Sequence, residues 1–185
     1  KIPMIPKWAF GFWMSKCSYR SRQEIEEVVL RAEKEGIPID VIHIDGWQKR
    51  EDSGLWEWDE ERFPDPAGMT AWLRERGIRL SLWIYPYLRE DSPSFKEIAE
   101  KGYFIKDGNK DAARFYATAD SEVKAACFDF TNPEFLAWYE ERVMKVLAMG
   151  VSVIKTDFSE AVPEDAVFYD GSSGIQGHNK LTYLY

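Results

Sequence analysis

Apolar positions recur along the chain in two alternating periods, and that alternation predicts a repeated strand and helix unit. Residues 8–15 are apolar and aromatic, interrupted by Gly11, and read as a first strand. Ser21-Arg22-Gln23-Glu24 has the form of a capping box, in which the Ser and Glu side chains each satisfy the other's free backbone N–H. Ile25, Val28, Val29 and Ala32 follow at i, i+3, i+4, i+7, one apolar helix face ended by Gly36. Pro38 blocks continuation, and residues 39–45 form a second strand with Ile39, Val41, His43 and Asp45 on one face. Asp65-Pro66 supplies an N-cap and a first-turn proline to a second helix whose Met69, Trp72 and Leu73 face inward. Residues 78–85 give a third strand, with Leu80, Leu82 and Ile84 on one side and Ser81, Trp83 and Tyr85 on the other. A long helix runs from Asn132-Pro133 to Met149, its stripe made of Phe135, Leu136, Tyr139, Val143, Val146 and Leu147. Residues 151–160 start β-branched and gain charge only at their end, which predicts a buried parallel strand. Residues 178–185 look like a last helix, opened by His178.

Two stretches break this rhythm. The loop over residues 46–63 carries Trp47, Trp56 and Trp58 among charged residues, and loops seldom hold three tryptophans without something to pack on. Trp56 and Trp58 are expected in the loop's own core, while Trp47, just beyond a strand end, fits either that core or a ligand surface. Between Pro86 and residue 132 no helix feeds a strand, so an insertion of about 88–128 is expected. It should contain a short helix bearing Phe95 and Ile98, a hairpin near residues 103–115 turning at Asp107-Gly108, and a short extended piece over residues 127–130.

The order β-α-β-α-β-(insertion)-α-β implies a parallel sheet with right-handed crossovers. An open doubly wound sheet and part of a (β/α)8 barrel both satisfy it. No G-x-G-x-x-G follows the first strand and no Walker motif occurs, so nucleotide binding lacks its usual marks. Polar and aromatic groups stand instead at several strand ends: Asp45, Trp83 with Tyr85, and Asp157, which is the barrel habit. A whole barrel needs about 250 residues. The expected class is therefore α/β, a parallel (β/α)8 TIM-barrel type, with residues 1–185 forming one domain piece, the first four β/α units and N-terminal half of the barrel.

Composition narrows the partners. The chain has 185 residues, 45% of them hydrophobic, enough for one well-cored domain. Aromatic residues reach 15% with eight tryptophans, which suits stacking on sugar rings as well as core packing. A formal net charge of -8 opposes nucleic acid and anionic membranes, because both recruit basic patches. No apolar run approaches the ~20 residues of a membrane span. Residues 1–10 carry two prolines and no continuous apolar core, so no signal peptide reads here and the cytoplasm is the expected compartment. Cys17 and Cys127 are the only cysteines, and His43 and His178 stand far apart, so neither a disulfide framework nor a metal site is expected, and no cofactor.

The candidate chemistry is concentrated at the end of the last strand. By alternation Lys155 and Asp157 share one face, and a neighbouring ammonium would favour the ionised carboxylate that a nucleophile requires. A Lys-x-Asp pair can equally close a strand as a structural ion pair. Asp129 and Glu160 read as structural groups bracing a helix start and a loop. A Schiff-base role for Lys155 would need a desolvated lysine rather than a paired one.

Six motifs in order then become recognisable: Trp8-x-Phe10-Gly11-x-Trp13, His43-x-Asp45, Phe63-Pro64-Asp65-Pro66-x-Gly68-Met69, Trp83-Ile84-x-Pro86-Tyr87, Asp129-Phe130-Thr131-Asn132-Pro133 and Lys155-Thr156-Asp157-Phe158. Together they resemble the catalytic barrel of glycoside hydrolase family 31, which contains α-glucosidases and α-xylosidases. The resemblance implies retaining hydrolysis of α-glycosides, α-xyloside or α-glucoside, through a covalent glycosyl-enzyme. It implies Asp157 as nucleophile, Lys155 and Asp45 on sugar hydroxyls, and Trp83 lining the same subsite, with Trp47 added here as a neighbouring substrate contact. The family's acid/base falls on a later part of the barrel than this chain covers. Ser159 replaces a glycine, and Tyr85 an asparagine, found in many relatives, and both would reshape the pocket. Gly46-Trp47-Gln48-Lys49-Arg50 looks nearer the bacterial α-xylosidase branch. A non-catalytic carbohydrate-binding barrel fragment is the alternative. The expected partners are a carbohydrate substrate and the remainder of its own barrel, or a second copy in a homo-oligomer, because four strands leave open edges.

Overall fold

The computed structural model describes residues 4–118 and 121–185. The chain divides into two compact units, the first made of Lys1–Trp47, Trp58–Trp83 and Lys145–Lys155, the second of Gln48–Glu57, Ile84–Met144 and Thr156–Tyr185.

In chain order the elements are β1 (Trp13–Met14), α1 (Arg22–Lys34), β2 (Val41–Ile44), α2 (Pro66–Glu75), β3 (Arg79–Ile84), β4 (Tyr87–Arg89), α3 (Phe95–Glu100), β5 (Arg114–Phe115), β6 (Ala125–Cys127), α4 (Pro133–Ala148), β7 (Val153–Thr156) and α5 (Gly174–Leu184). Four strands form one sheet in the order β1-β2-β3-β7, with β1 parallel to β2 and β2 parallel to β3. Each long crossover thus places the next of these strands beside the previous one. A doubly wound sheet would reverse direction at a switch point, so the order follows a barrel wall.

The first unit is built around α1 and α2. Ser21 caps α1 by accepting from the Glu24 N–H, 3.2 Å away, and Ile25, Val29 and Ala32 are buried while Val28 is only partly so. Full burial of a residue such as Ile25 is worth about 1.5–3 kcal/mol. The expected reciprocal half of the capping box is displaced: Glu24 accepts from the Arg20 N–H at 2.6 Å and pairs with Lys16. Asp65 accepts from the Gly68 N–H at 3.0 Å and buries Met69, Thr70 and Leu73 behind it. Trp72 is half-buried, with the Arg76 guanidinium 3.9 Å over its ring, rather than fully inward.

Two strand expectations and one helix expectation need correction. Residues 7–10 coil into a 3-10 turn, because the Gly11 N–H bonds Trp8 and the Trp13 indole bonds Ala9, leaving only two residues to pair as β1. The strand over 151–160 is shorter, and it is not buried: β7 stands at the edge of the sheet, with Val153 and Ile154 half-buried and Lys155 and Thr156 exposed. Leu136 in α4 is exposed as well, while Phe135 and Val146 are buried.

The second unit holds the insertion, which is more ordered than its pattern suggests. β4, β6 and β5 make an antiparallel sheet with Tyr87 opposite Cys127 and Arg114 opposite Ala126. The expected hairpin is a tight turn in which Asp107 accepts from the Asn109 and Asp111 N–H groups. A run of rings fills the core, Phe95 on Phe104 at 4.9 Å, Phe104 on Phe128 at 5.4 Å and Phe128 on Phe135 at 5.1 Å. Asp129 is structural, as expected: its buried carboxylate accepts from the Thr131 N–H and hydroxyl and from the Tyr169 N–H. α5 begins at Gly174, earlier than residue 178, because Ser173 and Gln176 form a complete capping box.

Candidate active site

The carboxyl end of β2 carries an ordered polar cluster in the first unit. His43 and Ser81 are register partners on β2 and β3, so their side chains share a face. His43 Nδ1 lies 2.9 Å from Ser81 Oγ, and His43 Nε2 lies 2.7 Å from Asp45 Oδ1. Lys155 Nζ, from β7, lies 3.5 Å from the same Asp45 oxygen. In the neutral ring with Nε2 donating to the Asp45 carboxylate, Nδ1 accepts from the Ser81 hydroxyl. Exposure rises along the line, from wholly buried Ser81 through His43 to Asp45 at 23% and Lys155 at 47% of their side chains. The cluster thus presents a carboxylate and an ammonium to solvent on a buried polar footing.

Ser, His and Asp in contact also have the composition of a hydrolase triad. The sealed Ser81 hydroxyl rules this out, since a nucleophile must reach its substrate.

The backbone around Asp45 is fixed on both sides. Its N–H bonds the Cys17 carbonyl at 3.0 Å and its carbonyl accepts from the Ser18 hydroxyl at 3.1 Å. Gly46 next adopts a φ of 58°, and its carbonyl accepts from Arg62 at 2.7 Å. Trp47 then turns fully inward: its indole N–H donates to the Trp83 carbonyl at 2.7 Å and its ring packs on Trp58 at 4.7 Å. Trp83 is half-buried at the end of β3. Trp56 and Trp58 are buried as loop core, as expected.

Asp157 is the second residue of the last segment of the second unit, one residue beyond β7, and is half-buried. Its N–H donates to the Ile84 carbonyl at 3.0 Å, and its Oδ1 accepts from the Phe158 N–H at 3.0 Å. Phe158 and Ser159 then both take left-handed backbone, with φ of 62° and 92°. The Phe158 ring meets Tyr85 and Tyr87, each at 6.1 Å, and the Tyr85 hydroxyl donates to the Ser53 carbonyl at 3.1 Å. Burial raises the Tyr85 phenol above its ordinary range. Burial, then Tyr139 and the Asp157 charge, push the Tyr185 phenol well up. Glu160 is exposed.

Of the sequence-derived residues, Asp45 joins Lys155 and Trp47 joins Trp83, both within the first unit. Ser81 and Tyr87 were not foreseen as supports. A hydroxyl among the greasy residues of β3, on the face that aligns with His43, was the available signal for Ser81; Tyr87 acts across 72 residues and left none. Among the described residues no group of three or more His, Cys, Asp and Glu could hold a metal, and no helix is long and apolar enough to cross a membrane.

Comparisons with known proteins show the family. The Glycosyl hydrolases family 31 TIM-barrel domain matches residues 2–185. The chain is 38% identical, over its whole length, to α-xylosidase XylQ of Lactiplantibacillus pentosus and 33% identical to an α-xylosidase of Emericella nidulans, and it spans 24% of the length of each. Among solved structures, a family 31 α-xylosidase from a soil metagenome, complexed with xylose, is 28% identical with a TM-score of 0.80 over 99% of this chain and 27% of its own. A Flavobacterium johnsoniae family 31 dextranase, at 24% identity, has the same fold with a TM-score of 0.86 over 98% of this chain and 23% of its own. The chain belongs to glycoside hydrolase family 31.

Proposed function

We propose that the intact protein is a retaining α-glycosidase that acts on α-xylosides or α-glucosides, with Asp157 as its nucleophile. The observation that carries this reading is the placement of charged groups where strands of one sheet end: Asp45 follows β2 and pairs with Lys155 of β7 in the first unit, and Asp157 is the residue after β7 in the chain. The carboxyl end of a strand is where barrel enzymes assemble their sites. In the first step the Asp157 carboxylate attacks the anomeric carbon and forms an ester as the glycosidic C–O bond breaks. The leaving oxygen takes a proton from an acid that the wider barrel supplies. In the second step that group, now a base, draws a proton from water, which attacks the same carbon and releases Asp157. Two inversions retain the configuration.

Asp45 and Lys155 bind sugar hydroxyls in this scheme. Asp45 Oδ1 engages His43 and Lys155, and Oδ2 remains to accept from a hydroxyl. Trp83 offers an apolar face to the ring, and the buried Trp47 supports Trp83 rather than contacting sugar. The two α-xylosidases above favour a xyloside, a pyranoside without the exocyclic hydroxymethyl group. Turnover of nitrophenyl α-xyloside and α-glucoside by the intact protein tests the reading. Asp157→Asn should lower kcat by about three orders of magnitude or more. Unchanged turnover in that variant, or sugar binding with no turnover in the wild type, would overturn it.

A further inference from the structure

The turn that follows Asp157 is left-handed at two successive residues that carry side chains, Phe158 and Ser159. Such backbone costs about 1–2 kcal/mol per residue and persists only where the surroundings enforce it. One atom stands out as the enforcer. The Tyr87 phenol oxygen accepts from the N–H of Ser159 at 2.9 Å and from the N–H of Ala161 at 3.0 Å. The ring that carries it is wholly buried and wedged by Phe115 at 5.1 Å and Tyr85 at 5.8 Å. The Ser159 hydroxyl adds a second tie, 2.9 Å from that of Thr182 in α5. On the strand side Asp157 is already fixed through Ile84, and on the turn side its Oδ1 bonds the Phe158 N–H.

We propose that Tyr87 is a positioning residue for Asp157: its hydroxyl holds the left-handed turn at Phe158 and Ser159, and the turn aims the carboxylate. The proposal rests on the reading of Asp157 as nucleophile. Burial keeps the phenol protonated, so the oxygen acts as a neutral acceptor over the working pH range. Ser159 carries a side chain at a φ of 92°, a backbone that glycine adopts freely, and Tyr87 with Thr182 offsets that strain.

The test is Tyr87→Phe in the intact enzyme, which removes one oxygen and keeps the ring. The first reading is amide hydrogen exchange at Ser159 and Ala161, which should accelerate. The second is kinetic: a misaimed group costs up to about a hundredfold in rate, so kcat should fall about ten- to a hundredfold while KM moves less than about threefold. The third is rescue. Tyr87→Phe with Ser159→Gly should recover a large part of the lost kcat, because glycine adopts this backbone without being held. A stability loss with unchanged kcat per folded molecule, unchanged exchange, or no rescue by glycine would each overturn the proposal. If the wild type cleaves no α-glycoside, the nucleophile reading fails, and amide exchange still decides whether the hydroxyl holds the turn. Should Tyr87→Phe alone not fold, a folded double variant with near wild-type kcat supports the proposal and a folded but slow one contradicts it.

Discussion

His43 Nε2 lies 2.7 Å from Asp45 Oδ1, and this hydrogen bond joins a buried histidine to a carboxylate that solvent reaches. It gives Asp45 an orientation that does not depend on substrate, and so less ordering remains for binding to complete. Asp45→Asn keeps an acceptor for His43 but removes the charge. A charged hydrogen bond is worth about 1.5–3 kcal/mol, so kcat/KM in the intact enzyme should drop about ten- to a hundredfold. Chemical denaturation should show less than about 1 kcal/mol of change for the same variant. Collapse of stability with normal activity would make Asp45 structural.

Ser81→Ala should behave in the opposite way. It leaves His43 Nδ1 buried without its partner hydroxyl, at a cost of about 1–3 kcal/mol in stability. Because Asp45 keeps Lys155, kcat/KM should fall less than in Asp45→Asn. Denaturant midpoints and kinetics on the two variants separate the buried footing from the exposed acceptor.

Trp47→Phe tests the division of labour between the two tryptophans. The substitution removes the N–H that the Trp83 carbonyl accepts and leaves a gap beside Trp58, which should cost about 1–3 kcal/mol of stability. Sugar affinity should change less than in Trp83→Ala. An equal or larger rise in KM for Trp47→Phe would place Trp47 against the substrate.

Asp170 gives a pH signature away from the site. Its carboxyl is lowered from 3.8 to about 2, first by the hydrogen bond from Lys180 and then by those from Ser172. A carboxyl lowered on folding adds stability that is present above its ordinary value and lost as pH falls toward about 2. The pair is exposed, so the contribution is under about 1 kcal/mol. Thermal unfolding between pH 4.5 and pH 2 should show a small loss that Lys180→Met flattens.

The parts of the fold legible in the sequence are those set by neighbours. Asp65-Pro66 fixes the start of α2 within four residues, and the β-α order follows from period alone. The exposure of β7 was not legible, since Val151 to Ile154 have the same composition in an edge strand as in a central one. The start of α5 was obscured by Gly174 and Gly177, although a bulkier residue at Gly177 would strike the Phe168 ring. Asp45, Lys155 and Asp157 were readable as charges ending strands. The pairing of Lys155 with Asp45 and the grip of Tyr87 on Ser159 join distant parts of the chain, and no local pattern encodes them.

The most direct test of the central claim is covalent trapping. The intact enzyme, treated with a fluorinated α-glycosyl fluoride that reacts quickly and hydrolyses slowly, should gain the mass of one glycosyl group. Peptide mapping should place that group on Asp157 as an ester, and the hydrolysis product of an ordinary substrate should keep the α configuration. Label on any other residue, or release of the β anomer, would contradict the account.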